Sequence, residues 1–193
     1  MKEQIVNLLE ILTLVTSLFL GGLILLFILK FVFGKQTKLY DSMVHFLQDH
    51  YLILGFIISL IAVSGSLFYS EIMAYTPCRL CWYQRIFMYP QLFLFLIALK
   101  TKSKSIITNS LVLSLIGGLL ASYHYLLQLE VINSGIFSCD FVGISVNCSQ
   151  YFSLSYGYIT IPFMSLTAFA WLIILAYGKL RSVPKELTHK NKI

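Results

Sequence analysis

The residues of this chain best suited to chemistry are two cysteines separated by two residues, Cys78 and Cys81. Such a pair can close a small disulfide, and a thiolate is favoured there by a nearby cation and by a helix N-terminus. Arg79 supplies a cation between the two thiols. Pro77 precedes the pair and an apolar run follows it, which predicts a helix with Cys81 in its first turn. The pattern indicates redox chemistry at the mouth of a helix, with a structural disulfide as the alternative.

Arg85 follows Cys81 by four residues, so the two side chains lie on the same face of the predicted helix. The helix runs into an apolar stretch of membrane character, where an arginine is costly and needs a polar partner. Ionisable residues inside membranes are functional candidates by default. We therefore treat Arg85 as part of a site, the alternative being an arginine that snorkels beside a structural disulfide.

Composition places these residues in a membrane protein. The chain has 193 residues, of which 58% are hydrophobic and only 11% charged, and its mean hydropathy is +0.82. Soluble domains are less apolar and more charged. Five apolar runs have the length of a membrane-spanning helix: 11–33, 51–70, 82–99, 106–128 and 158–177. The sequence predicts an all-α integral membrane protein, and the first run is an uncleaved helix rather than a signal peptide.

The positive charges predict the orientation. Eleven of the 14 lysines and arginines lie in three clusters, at 30–38, 100–104 and 179–192, each beside an apolar run. Under the positive-inside rule these clusters face the cytoplasm, so the N-terminus and both cysteine pairs lie outside. The net charge of +6 therefore reflects membrane topology, and we expect no nucleic-acid partner. The basic tail is expected to be loosely ordered.

A second pair of cysteines, Cys139 and Cys148, lies in a polar, turn-rich stretch between the last two runs. A loop of this size closes at little entropic cost. Two disulfides on one membrane face permit thiol–disulfide exchange between them. The alternatives are a staple for the outer loop and zinc binding by the four cysteines.

His124 lies in the outer part of the fourth run, four residues before Gln128 and hence on the same face. A lone histidine among aromatic residues is often only packed, but a quinone carbonyl would need such a donor as it gains electrons and protons. The polar stretch 34–50 contains Asp41, His45, Asp49 and His50. Nothing in the pattern fixes their geometry, so we expect a solvated interfacial segment there and no metal site.

The chain resembles the disulfide bond formation protein B family of bacterial membrane thiol oxidases. The resemblance runs from about residue 51 to 178. It rests on CRLCWYQRIFMYP at 78–90, SYHYLLQ at 122–128, FSCDF at 137–141, the downstream Cys148, and GYITIPF at 157–163. The wording of the first and last motifs is closest to the form found in Gram-positive bacteria. The resemblance implies a four-helix transmembrane bundle, to which this chain adds one N-terminal transmembrane helix.

The resemblance also implies the chemistry. The protein would reoxidise an extracytoplasmic thioredoxin-fold thiol oxidase and pass two electrons to the membrane quinone pool, menaquinone being favoured over ubiquinone. Cys139 and Cys148 would take electrons from the partner, and Cys78 would exchange with them. Cys81 would face the quinone, with Arg85 steadying its thiolate and the quinone oxygen. His124 and Gln128 match positions near the quinone head group.

The implied organisation has three parts: an N-terminal helix and cytoplasmic linker at 1–50, a thiol oxidase core at 51–178, and a basic cytoplasmic tail at 179–193. Two kinds of function compete with the oxidase. One is a reducing thiol relay or a quinone reductase of the vitamin K epoxide reductase type, which also joins a CxxC to loop cysteines. The other is a non-enzymatic membrane protein whose cysteines only staple its loops. Reactivity toward dithiols and quinone-dependent turnover distinguish the three.

Overall fold

A computed structural model of the chain describes residues 2–33, 38–101, 105–132, 148 and 154–190. The elements within them are α1 (Lys2–Phe33), α2 (Lys38–Asp49), α3 (Tyr51–Leu67) with a π-helical turn (Phe68–Ile72), α4 (Arg79–Thr101), α5 (Ser105–Gln128) and α6 (Ile161–Lys190).

Four helices in the described part of the chain are long and apolar enough to cross a membrane: α1, α3 with its π turn, α5 and α6. The less apolar α4 has 23 residues, or about 35 Å, and packs between α3 and α5. The polar side chains of Gln84, Arg85 and Gln91 lower the mean hydropathy of α4. The predicted all-α membrane fold, a four-helix bundle with an additional N-terminal helix, is confirmed.

The bundle is formed by α3, α4, α5 and α6, which pack around a common core. At mid-height the core contains Val63, Met88, Phe95, Ala121 and Phe169. Two glycines allow the helices to approach closely, because a Cβ at Gly55 would collide with Phe95 and one at Gly117 would collide with Phe169. Small residues at such contacts are the usual means by which membrane helices pack closely.

The surfaces that α1 and the bundle helices turn away from the core are apolar. Leu18 on α1 is 66% exposed and Leu119 on α5 is 72% exposed. Exposed leucines on successive helices are expected where lipid replaces water as the solvent. The chain is therefore a multi-pass protein of the cell membrane.

The helix boundaries differ from the sequence prediction at two places. The first helix begins at Lys2 rather than at residue 11, since the mixed polar and apolar residues that precede the apolar run are also helical. The last helix begins at Ile161, with Pro162 in its first turn, and continues to Lys190. Residues 179–190, for which a loosely ordered tail was expected, continue α6 as a helix.

The interfacial stretch contains α2, whose half-buried residues Met43, Val44, Leu47 and Gln48 share one face. Leu47 packs against the end of the bundle that contains Tyr51, Ile107 and Leu175. The acidic residues on α2 make local pairs: Asp41 accepts from Lys30 of α1 at 2.6 Å, and Asp49 lies 2.8 Å from Nδ1 of His45.

Candidate functional site

The site is built on the N-terminus of α4, with Cys78 at the capping position. The Cys78 carbonyl accepts a hydrogen bond from the Trp82 N–H at 3.2 Å, and its Sγ accepts from the Cys81 N–H at 3.4 Å. The two sulfurs are 3.1 Å apart, and both cysteines are free thiols. This separation is about 1 Å longer than a disulfide bond, so small motions suffice to oxidise the pair.

His124 connects α5 to this pair. Its Nε2 lies 3.6 Å from Cys78 Sγ and 3.2 Å from the carbonyl oxygen of Cys148, while its Nδ1 lies 2.9 Å from Nε2 of Gln84. With the Gln84 amide donating to Nδ1, the ring proton is on Nε2 and is shared between the carbonyl and the sulfur. His124 is fully enclosed, with 2% of its surface exposed. The histidine is therefore held in one orientation against the thiol.

The surroundings of Cys78 favour a thiolate. The hydrogen bond with Cys81 is the largest cause that lowers the pKa of Cys78, which falls from 9.0 to about 4, and the hydrogen bond from His124 lowers it further. Burial opposes these effects. The sequence predicted that the helix terminus would favour a thiolate at Cys81, but the backbone N–H at this terminus points at the sulfur of Cys78.

The second pair of cysteines is described in part. Cys148 is disulfide-bonded and buried, and it belongs to the same packed cluster as Cys78, Leu80 and Leu127. Cys139 lies outside the described residues. An oxidised cysteine of the loop thus lies beside the reduced pair of α4, linked to it by His124.

A cavity of about 350 Å³ opens on the other side of Cys81. It lies between α1, α3, α4 and α6 and is lined mainly by apolar side chains. The polar groups of α4 on its wall are Cys81, Gln84, Arg85 and the hydroxyl of Tyr89. Cavities of about 300–1,000 Å³ with apolar walls and a few convergent polar groups are typical of small-molecule sites.

Arg85 is fixed at the cavity wall by α3. Its Nε donates to Ser66 Oγ at 2.9 Å and its Nη2 donates to the Ser66 carbonyl at 3.1 Å. The guanidinium carbon lies 5.1 Å from the ring centroid of Trp82. Ser66 is the polar partner that an arginine at this depth requires.

The predicted site residues divide into two groups. Cys81 and Arg85 line the cavity, whereas His124 and Gln128 are not among the described residues that line it. Both are buried on α5, and His124 contacts Cys78 instead. The proximity of His124 to a quinone therefore stays a prediction that this geometry does not favour.

Sequence reasoning missed Gln84 and Ser66. Gln84 is 6% exposed and joins His124 to the cavity, and Ser66 holds Arg85. A signal for Gln84 was present, since it is a polar residue in an apolar run, three residues after Cys81 and on the same face. Ser66 had no distinguishing signal, because serine is common in membrane helices and its contact with Arg85 spans 19 residues.

The sulfurs of Cys78 and Cys81 and a ring nitrogen of His124 lie within 4.8 Å of one another. Two thiolates and an imidazole are ligands that zinc accepts. The same two sulfurs are the atoms that a disulfide would join, so metal binding and oxidation of the pair exclude each other.

A helical membrane bundle that carries a buried cysteine of lowered pKa, a second cysteine in contact with it and an adjoining cavity defines a membrane thiol–disulfide oxidoreductase. Comparison with known families agrees, since residues 48–178 match the family described as "Disulfide bond formation protein DsbB". The chain belongs to this family, and its role is disulfide bond formation at the membrane.

Curated relatives carry matching names. The chain is 39% identical to "Probable disulfide formation protein" of Oceanobacillus iheyensis over 66% of this chain and 86% of the relative. It is 40% identical to "Disulfide bond formation protein C" of Bacillus subtilis over 64% and 88%. It is 42% identical to "SPbeta prophage-derived disulfide bond formation protein B" of Bacillus subtilis over 62% and 78%. No solved structure matches the chain.

Proposed function

We propose that this protein oxidises the dithiol of an extracytoplasmic thioredoxin-fold partner and passes the two electrons to a membrane quinone. The observation that carries the proposal is the position of Cys81. Its sulfur lies 3.1 Å from Cys78 on one side, and the residue lines the cavity that contains Arg85 on the other. A cysteine in this position can receive electrons from a thiol and deliver them to a carrier in the cavity.

The first steps are thiol–disulfide exchanges. A thiolate of the partner attacks the disulfide that contains Cys148, and the partner's second thiol completes its own disulfide, leaving the loop pair reduced. A loop thiolate then attacks the Cys78–Cys81 disulfide at Cys78, and formation of the loop disulfide leaves Cys78 and Cys81 as thiols. Two electrons have moved inward at each exchange, and two protons have moved with them.

Exchange between the two pairs requires Cys78 and Cys148 to lie close together, and both belong to one packed cluster. His124 supports this arrangement, because its Nε2–H donates to the Cys78 sulfur and to the Cys148 carbonyl. We assign His124 a positioning role between the two pairs.

The cavity residues fit a quinone. The guanidinium of Arg85 is a fixed donor for a carbonyl oxygen, the amide of Gln84 lies on the same wall, and the rest of the lining combines aliphatic and aromatic side chains with hydroxyl groups of Ser, Thr and Tyr residues. A quinone bound there would accept two electrons and two protons. Cys78 and Cys81 give up two electrons and two protons and re-form their disulfide, so that the reaction is balanced. The Gram-positive wording of the motifs favours menaquinone over ubiquinone.

Orientation follows from the basic clusters. The N-terminus and both cysteine pairs lie outside, and the C-terminus lies in the cytoplasm. The cysteines of α4 then face the compartment in which exported proteins acquire disulfides. The proposed division at residues 50 and 178 keeps all four cysteines in one core.

The test is reduction of an added quinone, followed by its ultraviolet absorbance, when the purified protein meets a reduced thioredoxin-fold dithiol. We expect turnover by the wild type, none by Cys81→Ser, and slower turnover or a higher KM for Arg85→Ala. The cysteine variant removes the thiol that faces the cavity, and the arginine variant removes the fixed donor.

Two other results would indicate a different function for the protein. Absence of quinone reduction while the loop disulfide is present and unreactive toward dithiols would leave the cysteines as staples. Oxidation of a quinol with reduction of the partner's disulfide would indicate a relay that runs in the opposite direction.

A further inference from the structure

The N-terminal helix α1 is attached to the bundle at two levels. Lys2 Nζ donates to the carbonyl of Ile72, at the end of the π turn, at 2.9 Å. Fourteen residues further on, the indole Nε1 of Trp171 on α6 donates to the carbonyl of Thr16 at 3.3 Å, and Trp171 stacks on Phe19 with ring centroids 5.5 Å apart. These contacts fix α1 across the gap between α3 and α6.

Between the two attachments, α1 faces the cavity. The residues of α1 on the cavity wall are Leu9, Leu12, Thr13 and Thr16, which share one face at helical spacing. The opposite face is exposed, as shown by Val15 at 58% and Leu18 at 66%. The helix therefore covers the cavity along one stripe and offers its other side to lipid.

Helix α1 determines the shape of the cavity, and its two hydroxyl groups on the wall do not act as donors toward the cavity. The hydroxyl of Thr13 donates to the Leu9 carbonyl at 2.8 Å, and the hydroxyl of Thr16 donates to the Leu12 carbonyl at 2.7 Å. Because each proton is already committed within the helix, these hydroxyls have none left for a carbonyl of a bound molecule. Donors to such a carbonyl come from Arg85 and Gln84 on the facing wall.

Some wall residues are also open to lipid. Leu12 on α1 is 36% exposed, and Ile57 and Ile61 on α3 are 43% and 38% exposed, although all three line the cavity. An apolar opening thus lies between α1 and α3 at the level of the bilayer. An isoprenoid chain can pass through such an opening while the ring stays at Arg85.

We infer that α1 forms the size-selecting wall of the quinone chamber and that the isoprenoid tail leaves between α1 and α3. The inference rests on the proposed function. It concerns a helix outside the family match at residues 48–178, so it is a property that this chain adds to the family core. Thr13 is the specificity-determining position, since it is buried and lies at the middle of the covering stripe.

The test uses the full-length protein with Thr13→Leu and Thr13→Trp, and Leu18→Trp as a matched control on the lipid face. Steady-state kinetics are measured with a prenylated naphthoquinone as the varied substrate. We expect the KM for the quinone to rise with the added volume, by at least about tenfold for Thr13→Trp, while kcat at saturation is retained. The control keeps the wild-type KM. A second readout, reduction of the loop disulfide by the partner dithiol without quinone, is the same in all variants.

The outcomes separate the two proposals. If the wild type reduces quinone but Thr13→Trp and Leu18→Trp share its KM, α1 is not a wall of the chamber and the proposed function stands. If Thr13→Trp also slows the quinone-free exchange, α1 has a general structural role and the inference is overturned. If the wild type reduces no quinone, the proposed function fails and the inference fails with it.

Discussion

The N-terminal half of α4, here called its outer half, and the C-terminal half, here called its inner half, both bury polar side chains, but in different ways. In the inner half, Gln91 is completely buried and its Oε1 accepts from Ser110 at 2.9 Å and Ser114 at 3.0 Å. Its Nε2 donates to the Phe87 carbonyl at 3.1 Å. In the outer half, Gln84 and Arg85 lie on a cavity wall beside the thiol of Cys81.

The buried polar side chains of the inner half have a structural role, whereas those of the outer half belong to the candidate functional site. The inner network is closed, because the amide oxygen and nitrogen of Gln91 both have partners within the bundle. A closed network of this kind stabilises the packing of α4 on α5. The outer groups instead converge on sulfur and on open space, which is how reactive sites are arranged. Variants in the two halves should therefore change different quantities.

The largest effect is expected from Gly117→Leu on α5, the helix against which the inner half of α4 packs. The new side chain would collide with Phe169, so we expect a loss of about 1–3 kcal/mol in the free energy of unfolding, measured by denaturant titration in detergent micelles. Gly21→Leu is the matched control, because nothing lies within 4 Å of its Cβ position. Equal stability of the two variants would contradict close packing of α5 on α6.

Arg85→Lys tests the outer half. Lysine keeps the charge but cannot donate in the fixed fork that holds Arg85 to the Oγ and carbonyl of Ser66. We expect kcat/KM for the quinone to fall by about ten- to a hundredfold with unchanged stability, measured by steady-state kinetics. Arg181→Lys, at the other end of the bundle, is the control. A stability loss without a kinetic change would move Arg85 to the structural group.

The acidity of Cys78 provides a third test. We expect the thiolate absorbance of the reduced protein to titrate with a midpoint of about 4. Because the folded pKa is below the ordinary 9.0, the thiolate stabilises the folded, reduced protein fully above pH 9.0, and this contribution disappears as the pH falls to about 4. Both Cys81→Ala and His124→Ala should raise the pKa, the former more, since the hydrogen bond with Cys81 is the larger cause. The reverse order would contradict this geometry.

The smallest effect is expected from Ser114→Ala. Gln91 Oε1 keeps the hydrogen bond from Ser110, so the free energy of unfolding should fall by only about 1 kcal/mol. The KM for quinone and kcat should match the wild type. A kinetic change in this variant would show that the two halves of α4 are coupled.

Local patterns were sufficient for much of the fold and part of the site. Apolar runs predicted the membrane helices, and the four-residue spacing of Cys81 and Arg85 placed both on one face, which lines the cavity. The same reasoning placed His124 near a quinone, whereas in the structure it contacts Gln84, the Cys148 carbonyl and the sulfur of Cys78. Whether His124 faces the cysteine pair or the cavity depends on how α5 is rotated about its own axis, and no sequence pattern predicts that rotation.

The sequence by itself determined that the chain crosses a membrane, that a redox-competent pair lies at a helix mouth, and which family the motifs resemble. These properties depend on residue type and on spacing along one helix. Tertiary structure decided that the Cys78 sulfur is the one held by a helix terminus and an imidazole, that Ser66 fixes Arg85, and that α1 covers the cavity. The reason is that contacts between helices depend on how the helices are rotated and how closely they approach, which bundle packing sets.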